Sequence, residues 1–258
     1  MMWERMAAEA DFARHDLSCL KVANCGGARL ADEAMAAFKR SGVVIRQAYG
    51  LTESGGPVTI ARREQAMGDP DTVGDGGVFA EIKVMRPDGT ECSPREAGEI
   101  MVKSPYTMSG YWNNAEKTAE VFIDGWLRSE DIGVRDVDGR LRFVDRISNY
   151  ISSGDIRISP NEVERAISSI PGITEVAVVS VPDASRGHAA AAIVHARAGR
   201  PDRQTIEDTV RRQLGGAHVP RHVLISDEPL PRLASGKFDR KTLRLQYADV
   251  GNTPPRRC

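Results

Sequence analysis

Cysteine is sparse and scattered in this 258-residue chain: Cys19, Cys25, Cys92 and Cys258 contain no C-x-x-C pair. The five histidines (His15, His188, His195, His218, His222) do not cluster either, so the spacing that builds a zinc site is missing from the sequence. This pattern reads as a reduced, cytoplasmic protein without structural disulfides. No apolar run approaches the roughly 20 residues of a membrane-spanning helix. The opening stretch, MMWERMAAEADFARHDLS, carries charge throughout, where a signal peptide would have its apolar segment. An excess of charge of one sign is lacking too: 35 Lys and Arg against 36 Asp and Glu give a formal net charge of −1. Non-specific nucleic-acid binding needs a basic face that displaces phosphate counterions, so nucleic acid is not an expected partner. Ser235-Gly236-Lys237 is no Walker loop, because Pro231 stands where that loop needs a glycine. Asp136-Val137-Asp138-Gly139 lacks the further ligands of a calcium loop.

What is present is an ordinary globular balance of 41% hydrophobic and 28% charged residues. A chain of this length buries roughly 70–75% of its unfolded surface, enough for one large domain or two small ones. The first segment predicts a β-α-β unit. Leu20–Cys25 (LKVANC) reads as a strand, ADEAMAAFKRSG as a helix ending at Gly42, and Val43–Gly50 (VVIRQAYG) as the next strand. Two strands joined by a helix imply a parallel pair, with ligands expected beyond their carboxyl ends.

From about Val73 the period changes to alternation. VFAEIKVMR runs into the turn Pro87-Asp88-Gly89, and GEIMVKS, GWLRSEDIGVRD and GRLRFVDR follow, the last two hinged on Asp138-Gly139. An antiparallel meander or barrel ends near Asp145-Arg146. A second unit then opens with a polar hairpin around Ser153-Gly154. Its first helix starts at Ser159-Pro160-Asn161-Glu162, with serine as cap and proline at the first helical position. TEVAVVSV and AAAAIVHA read as buried strands, IEDTVRRQL as a helix, HVLISDEPL as a strand and KFDRKTLRLQ as a last helix. The fold class is thus α/β and α+β: a β-α-β piece with an antiparallel subdomain, then a small α+β layer. The domains read as 1–146, 147–248 and a tail, 249–258.

Candidate chemistry sits at strand ends. Val43–Gly50 is followed by Leu51-Thr52-Glu53, so an aromatic ring, a hydroxyl and a carboxylate leave one strand together. Tyr49 can stack on a planar base, Thr52 can donate to a phosphate, and Glu53 can hold Mg²⁺, a hard cation that takes carboxylate oxygen. Read alone, the same residues describe a strand end with a solvated glutamate. Gly26-Gly27-Ala28 would let backbone approach the same ligand, or be a plain β-α turn. Arg128-Ser129-Glu130-Asp131 and Asp145-Arg146 offer acceptors for ribose hydroxyls and a cation for phosphate, or ordinary surface ion pairs.

Order and spacing change that balance. Gln47-Ala48-Tyr49-Gly50-Leu51-Thr52-Glu53, Gly125–Asp131, Asp145-Arg146 with Ser153-Gly154 and Ile158–Glu164, and Pro231–Lys237 together resemble the adenylate-forming superfamily. That superfamily comprises acyl-CoA synthetases, nonribosomal adenylation domains and luciferases, and the likeness runs from about Leu17 to Leu245. The resemblance implies ATP-dependent activation of a carboxylic acid, fatty or other, to acyl-AMP and then acyl-CoA. It implies that Gly27 and Ala28 line the adenine and acyl pockets, Tyr49 packs on adenine beside Gly50, and Thr52 meets the α-phosphate. Glu53 is then the Mg²⁺ ligand, Asp131 and Arg146 hold the ribose, and Lys237 is the mobile catalytic lysine. Ser153 and Gly154 fall on the pantetheine path of CoA, and Ser148 is the hinge.

The departures shape the expectation. The Ser/Thr/Gly-rich phosphate loop with its lysine does not occur in this sequence, which resembles the C-terminal half of a synthetase. Such a half is not expected to be competent alone, and its apolar faces favour a homo-oligomer or association with an N-terminal half. Glu130 stands where the family has glycine, adding negative charge near a phosphate ligand; Ser148 replaces an Asp or Lys, and Ser153 a glycine. The expected partners are a small-molecule carboxylate, ATP/AMP and CoA, with Mg²⁺ as metal. A noncatalytic adenylate-binding or interaction protein, and a domain acylating a carrier protein, remain as alternatives. The acyl substrate is not legible; Ser54-Gly55-Gly56-Pro57 says only that the pocket wall here is small.

Overall fold

Small residues and a cluster of aromatic rings organise the start of the chain. A computed structural model describes residues 2–27, 29–196, 201–233 and 236–252. Ala28 and Ser235, and most of the 249–258 tail, lie outside the described residues. Helix α1 (Met2–Ala7) and strand β1 (Ala23–Gly26) precede α2 (Asp32–Arg40). α2 turns Ala34, Ala37 and Phe38 inward, and Phe38 meets Phe12 and Trp3 edge-on at 4.8 and 5.1 Å. Aromatic edges against faces are the preferred packing geometry. β2 (Ile45–Leu51) then pairs parallel with β1.

The sequence placed these strands two or three residues early at their N-terminal ends. Leu20 and Val22 are exposed, so they lack the burial that would make them strand core. A larger difference follows β2. The chain turns through residues 52–55 and returns as β3 (Gly56–Ile60), antiparallel to β2. The carboxyl end of β2 is therefore a hairpin tip. Ser54, buried, ties this tip: its hydroxyl accepts from Leu51 N–H and reaches the Leu51 and Gly56 carbonyls at 2.9 and 2.8 Å.

After α3 (Arg63–Gly68) come β4 (Glu81–Met85), β5 (Ala97–Lys103), α4 (Ala115–Val121), β6 (Phe122–Ile123), β7 (Trp126–Arg135) and β8 (Leu141–Arg146). These five strands form an antiparallel sheet in the order β4-β5-β7-β6, with β8 on β7. Val84, Ile100, Val102 and Leu141 from this sheet pack with Tyr49 and Val58 from the first, so one apolar cluster joins both. The join is also hydrogen-bonded: Val73 N–H donates to Leu141 O (2.9 Å), and Leu141 N–H to Gly74 O (2.7 Å).

The chain divides into two compact units, Met1–Ile147 and Ser148–Cys258. The second opens with the hairpin β9 (Ile151–Ser153) and β10 (Ile156–Ile158). α5 (Pro160–Ser168) begins as its sequence dictates, with the Ser159 hydroxyl accepting from Glu162 N–H. β11 (Ile173–Asp183) and β12 (Gly187–Ala196) are antiparallel, and β13 (His222–Ser226) adds parallel to β12 after α6 (Arg203–Leu214). α7 (Arg240–Gln246) follows. Alternate faces of the β11–β12 ribbon are both covered: Val163, Ile167, Ile206 and Val210 pack on one, Leu230 and Leu243 on the other. Burial on both faces explains the unbroken apolar runs TEVAVVSV and AAAAIVHA.

Two glycines separate two kinds of constraint. A Cβ at Gly50 would sit 2.1 Å from the Gly56 carbonyl oxygen across the hairpin, a clash with backbone. Gly154 has φ +60° at the β9–β10 turn with open space around it, so only conformation restricts it. Gly50→Ala is expected to destabilise the first unit by at least about 3 kcal/mol, and Gly154→Ala the second by about 1–2 kcal/mol. Trp3, Trp112 and Trp126 all fall in the first unit, so guanidinium unfolding by tryptophan fluorescence reads the first variant. Far-UV dichroism reads the second. Equal effects of the two substitutions would contradict the steric account of Gly50.

Candidate active site

A buried carboxylate marks the site. Asp131 lies on β7, its side chain only 4% exposed, directly opposite Arg146 at the end of β8. Tyr49, from β2 of the other sheet, donates its hydroxyl to Asp131 Oδ2 at 2.9 Å, and Arg146 Nε donates to Oδ1 at 3.2 Å. Ser129 holds the local main chain, donating to Ile100 O (2.7 Å) and accepting from Asp131 N–H (3.1 Å). Each carboxylate oxygen has one protein partner and therefore keeps capacity for a further donor. Two neighbouring hydroxyls, such as those of a ribose, suit that vacancy in lone pairs.

Burial controls the electrostatics. It pushes the Asp131 carboxyl above its ordinary range, against the opposing pull of Tyr49 and Arg146. Burial and the neighbouring Asp131 carboxylate push the Tyr49 phenol up far beyond its usual range, so it stays a hydrogen-bond donor. Its ring lies nearly parallel to Phe143 with centroids 6.1 Å apart, and the residue is 7% exposed. Most of the ring is thus committed to the core. A β-bulge between Tyr49 and Gly50 lets Tyr49 turn inward while the hairpin tip continues outward.

The tip carries Thr52, exposed, and Glu53, half-buried. Glu53 is held at both ends: its carbonyl accepts from Met108 N–H (2.8 Å), and its Oε1 accepts from the Tyr111 hydroxyl (3.0 Å). The Tyr111 contact is absent from the sequence reading, since 58 residues separate the pair and no local pattern links them. Gly26 pairs with Ala48, so the Gly26-Gly27 turn leaves β1 beside the strand that carries Tyr49. Ala28 lies outside the described residues.

The metal-binding capacity fits the hard, hydrated cation Mg²⁺. Among the described residues no group of three His, Cys, Asp or Glu could hold a metal. Mg²⁺ keeps several waters and is typically bound by one or two carboxylates together with substrate phosphates. A lone carboxylate with Oε2 free of Tyr111, as at Glu53, meets that requirement.

Glu130 adopts φ +59°, a conformation glycine tolerates better, and so carries a conformational cost. Its N–H donates to Glu99 Oε1 (3.2 Å), and its carboxylate pairs with Lys117 Nζ at 3.3 Å. The extra negative charge expected beside the phosphates is thereby partly neutralised.

The remaining candidates lie in the second unit. Ser153 is 3% exposed and buried within that unit, so its side chain does not stand out at the hairpin tip, whereas Gly154 is exposed and donates its N–H to Arg186 O (3.1 Å). Ser148 is exposed in a single helical turn, Ile147–Asn149. Lys237 is exposed; its carbonyl accepts from Leu233 N–H (2.9 Å), and Arg232 donates to Gly236 O (2.8 Å).

Comparison with known proteins gives matches along both parts of the chain. The AMP-binding enzyme family matches residues 1–112, and the AMP-binding enzyme C-terminal domain matches residues 162–237. A feruloyl-CoA synthase from Amycolatopsis sp is 34% identical over 247 residues, covering 95% of this chain and 50% of that protein. The long-chain-fatty-acid–CoA ligase FadD13 of Mycobacterium tuberculosis is 33% identical, covering 92% of this chain and 47% of its own. Among solved structures, the amide bond synthetase McbA from Marinactinospora thermotolerans superposes with a TM-score of 0.86 at 31% identity, over 95% of this chain and 51% of that one. The o-succinylbenzoate CoA synthetase MenE of Bacillus subtilis, in complex with its acyl-adenylate intermediate, gives 0.79 at 29% identity, over 90% and 48%. The chain spans about half the length of the relatives it matches. With both family signatures matched in order, and ligases of about one-third identity aligned along nearly all of its length, this chain belongs to the AMP-binding enzyme family.

Proposed function

We propose that this chain forms the adenylate-holding and C-terminal part of an acid–CoA ligase, which joins a carboxylic acid to AMP and passes the acyl group to CoA. The observation that carries the reading is the Tyr49–Asp131–Arg146 constellation, assembled from two sheets around one buried carboxylate. In this reading Asp131 accepts the two ribose hydroxyls and Arg146 bridges ribose and Asp131. Tyr49 acts mainly by orienting Asp131, and offers the base only the small part of its surface that is exposed. Thr52 donates to the α-phosphate from the exposed tip of the β2–β3 hairpin.

The chemistry brings an acid carboxylate onto a phosphate, two anions that repel. Mg²⁺ bound at Glu53 would draw charge from the phosphates. Lys237 supplies a second cation, an ammonium on a flexible stem that can bridge carboxylate and α-phosphate and orient them for attack. Gly154, with Ser153 turned into its own unit, leaves backbone rather than side chain on the proposed pantetheine path. The proposed compartment is the cytoplasm, where ATP and CoA are both available. No described helix is long and apolar enough to cross a membrane. The relatives act, by name, on feruloyl, long-chain fatty and succinylbenzoyl acids, so the proposed substrate class is carboxylic acids rather than one acid.

AMP titrated calorimetrically into the chain should bind, and Asp131→Asn should weaken it by about tenfold or more, the worth of hydrogen bonds to a charged acceptor. Unchanged AMP affinity would remove Asp131 from the site. The same substitution has an opposite effect on stability. Because folding raises the Asp131 carboxyl, the folded chain holds that proton more tightly than the unfolded chain does. The ionised group therefore costs stability, beginning as pH rises through the ordinary carboxylate value of about 4 and complete above the raised one. Asp131→Asn should gain on the parent between pH 3 and pH 7 in guanidinium midpoint. A stability difference independent of pH would show that Asp131 is not strained by burial.

A further inference from the structure

The hydroxyl on Glu53 comes from a residue to which the proposed reaction assigns nothing. Tyr111 belongs to the loop between β5 and α4, and its main chain is fixed by the start of that helix. Tyr111 N–H donates to Thr118 Oγ1 (2.9 Å), and that hydroxyl donates to Asn114 O (2.7 Å). Asn114 caps α4 by accepting from Lys117 N–H (3.0 Å). The capped helix start thus sets where the phenol can reach. Its reach is the carboxylate of Glu53, whose own main chain is tied to Met108 in the same loop.

The chemical type of this contact matters. Lys117 lies close enough to act on Tyr111 electrostatically, yet its ammonium pairs with Glu120 and Glu130, each at 3.3 Å. No ion pair to Glu53 is found among the described residues. A lysine on Glu53 would neutralise it and compete with a divalent cation. A neutral phenol occupies one oxygen, Oε1, fixes the rotamer and leaves the negative charge in place. An unheld glutamate loses side-chain freedom on being ordered, and here that ordering precedes any ligand.

We propose that Tyr111 is a positioning residue that presents Glu53 Oε2 to a divalent cation carried by the nucleotide. The inference rests on the reading of Glu53 as the Mg²⁺ ligand and adds the residue that aims it. Groups that orient a metal's ligands typically contribute 10–100-fold to metal affinity.

The test is a pair of calorimetric titrations of the whole chain, with ATP in MgCl₂ and with ATP in EDTA. The ratio of the two affinities is the gain due to Mg²⁺. Tyr111→Phe keeps the ring and should reduce that gain by about tenfold or more, leaving ATP affinity in EDTA and the melting temperature unchanged. In a Glu53→Gln background, where the gain is already lost, Tyr111→Phe should have no further effect. Thr118→Val releases the Tyr111 main chain while leaving the phenol, and should give a smaller loss in the same direction even if the phenylalanine variant folds poorly. A Tyr111→Phe chain with the parent's gain, or one that weakens ATP equally in MgCl₂ and EDTA, would overturn the proposal. A parent chain with no gain from Mg²⁺ would overturn the reading of Glu53 itself, and this inference with it.

Discussion

Burial of the Asp131 carboxylate is the constraint to which the first unit is fitted. A charge taken from water is costly unless it is paired and hydrogen-bonded. The partners come from places far apart in sequence: Tyr49 from the first sheet and Arg146 from the last strand of the second. Both sheets must therefore be built, and joined through the cluster of Tyr49, Val58, Ile100 and Leu141, before the carboxylate is satisfied. The apolar join and the polar site depend on each other. Loss of either leaves the other with a defect, an unpaired buried charge or a hole in the core.

A second consequence is that cost is stored in the same place. Asp131 keeps its proton more readily than an ordinary aspartate, and its neighbour Glu130 occupies a backbone conformation suited to glycine. Neither feature stabilises the fold. Both are tolerated because surrounding contacts hold them, Ser129 on the main chain and Glu99 with Lys117 around Glu130. Strained positions persist when the surroundings over-determine them, and they concentrate at functional sites.

Much of this was legible in the sequence, for local reasons. Ser159-Pro160 announces α5 because capping chemistry acts over three residues, and the buried runs of β11 and β12 announce themselves by composition. The four ordered motifs pointed to the family that the comparisons show. What escaped was non-local or irregular. β3 hides behind Gly55-Gly56-Pro57, residues that read as loop, and is a strand because its partner β2 is already in place. The half-buried state of Glu53, its phenol partner and the inward turn of Tyr49 depend on contacts across 58 and 82 positions and on a bulge that no periodicity reveals. Ser153 shows the same limit: its identity gives no sign that its side chain is buried.

A crystal structure of the chain grown in AMP examines most directly whether Asp131 is the ribose acceptor. Both ribose hydroxyls are expected within hydrogen-bonding distance of the Asp131 carboxylate, with Tyr49 and Arg146 still attached and the phosphate toward Thr52. AMP seated elsewhere, with Asp131 touching only Tyr49 and Arg146, would contradict that role and reduce the constellation to a structural ion pair.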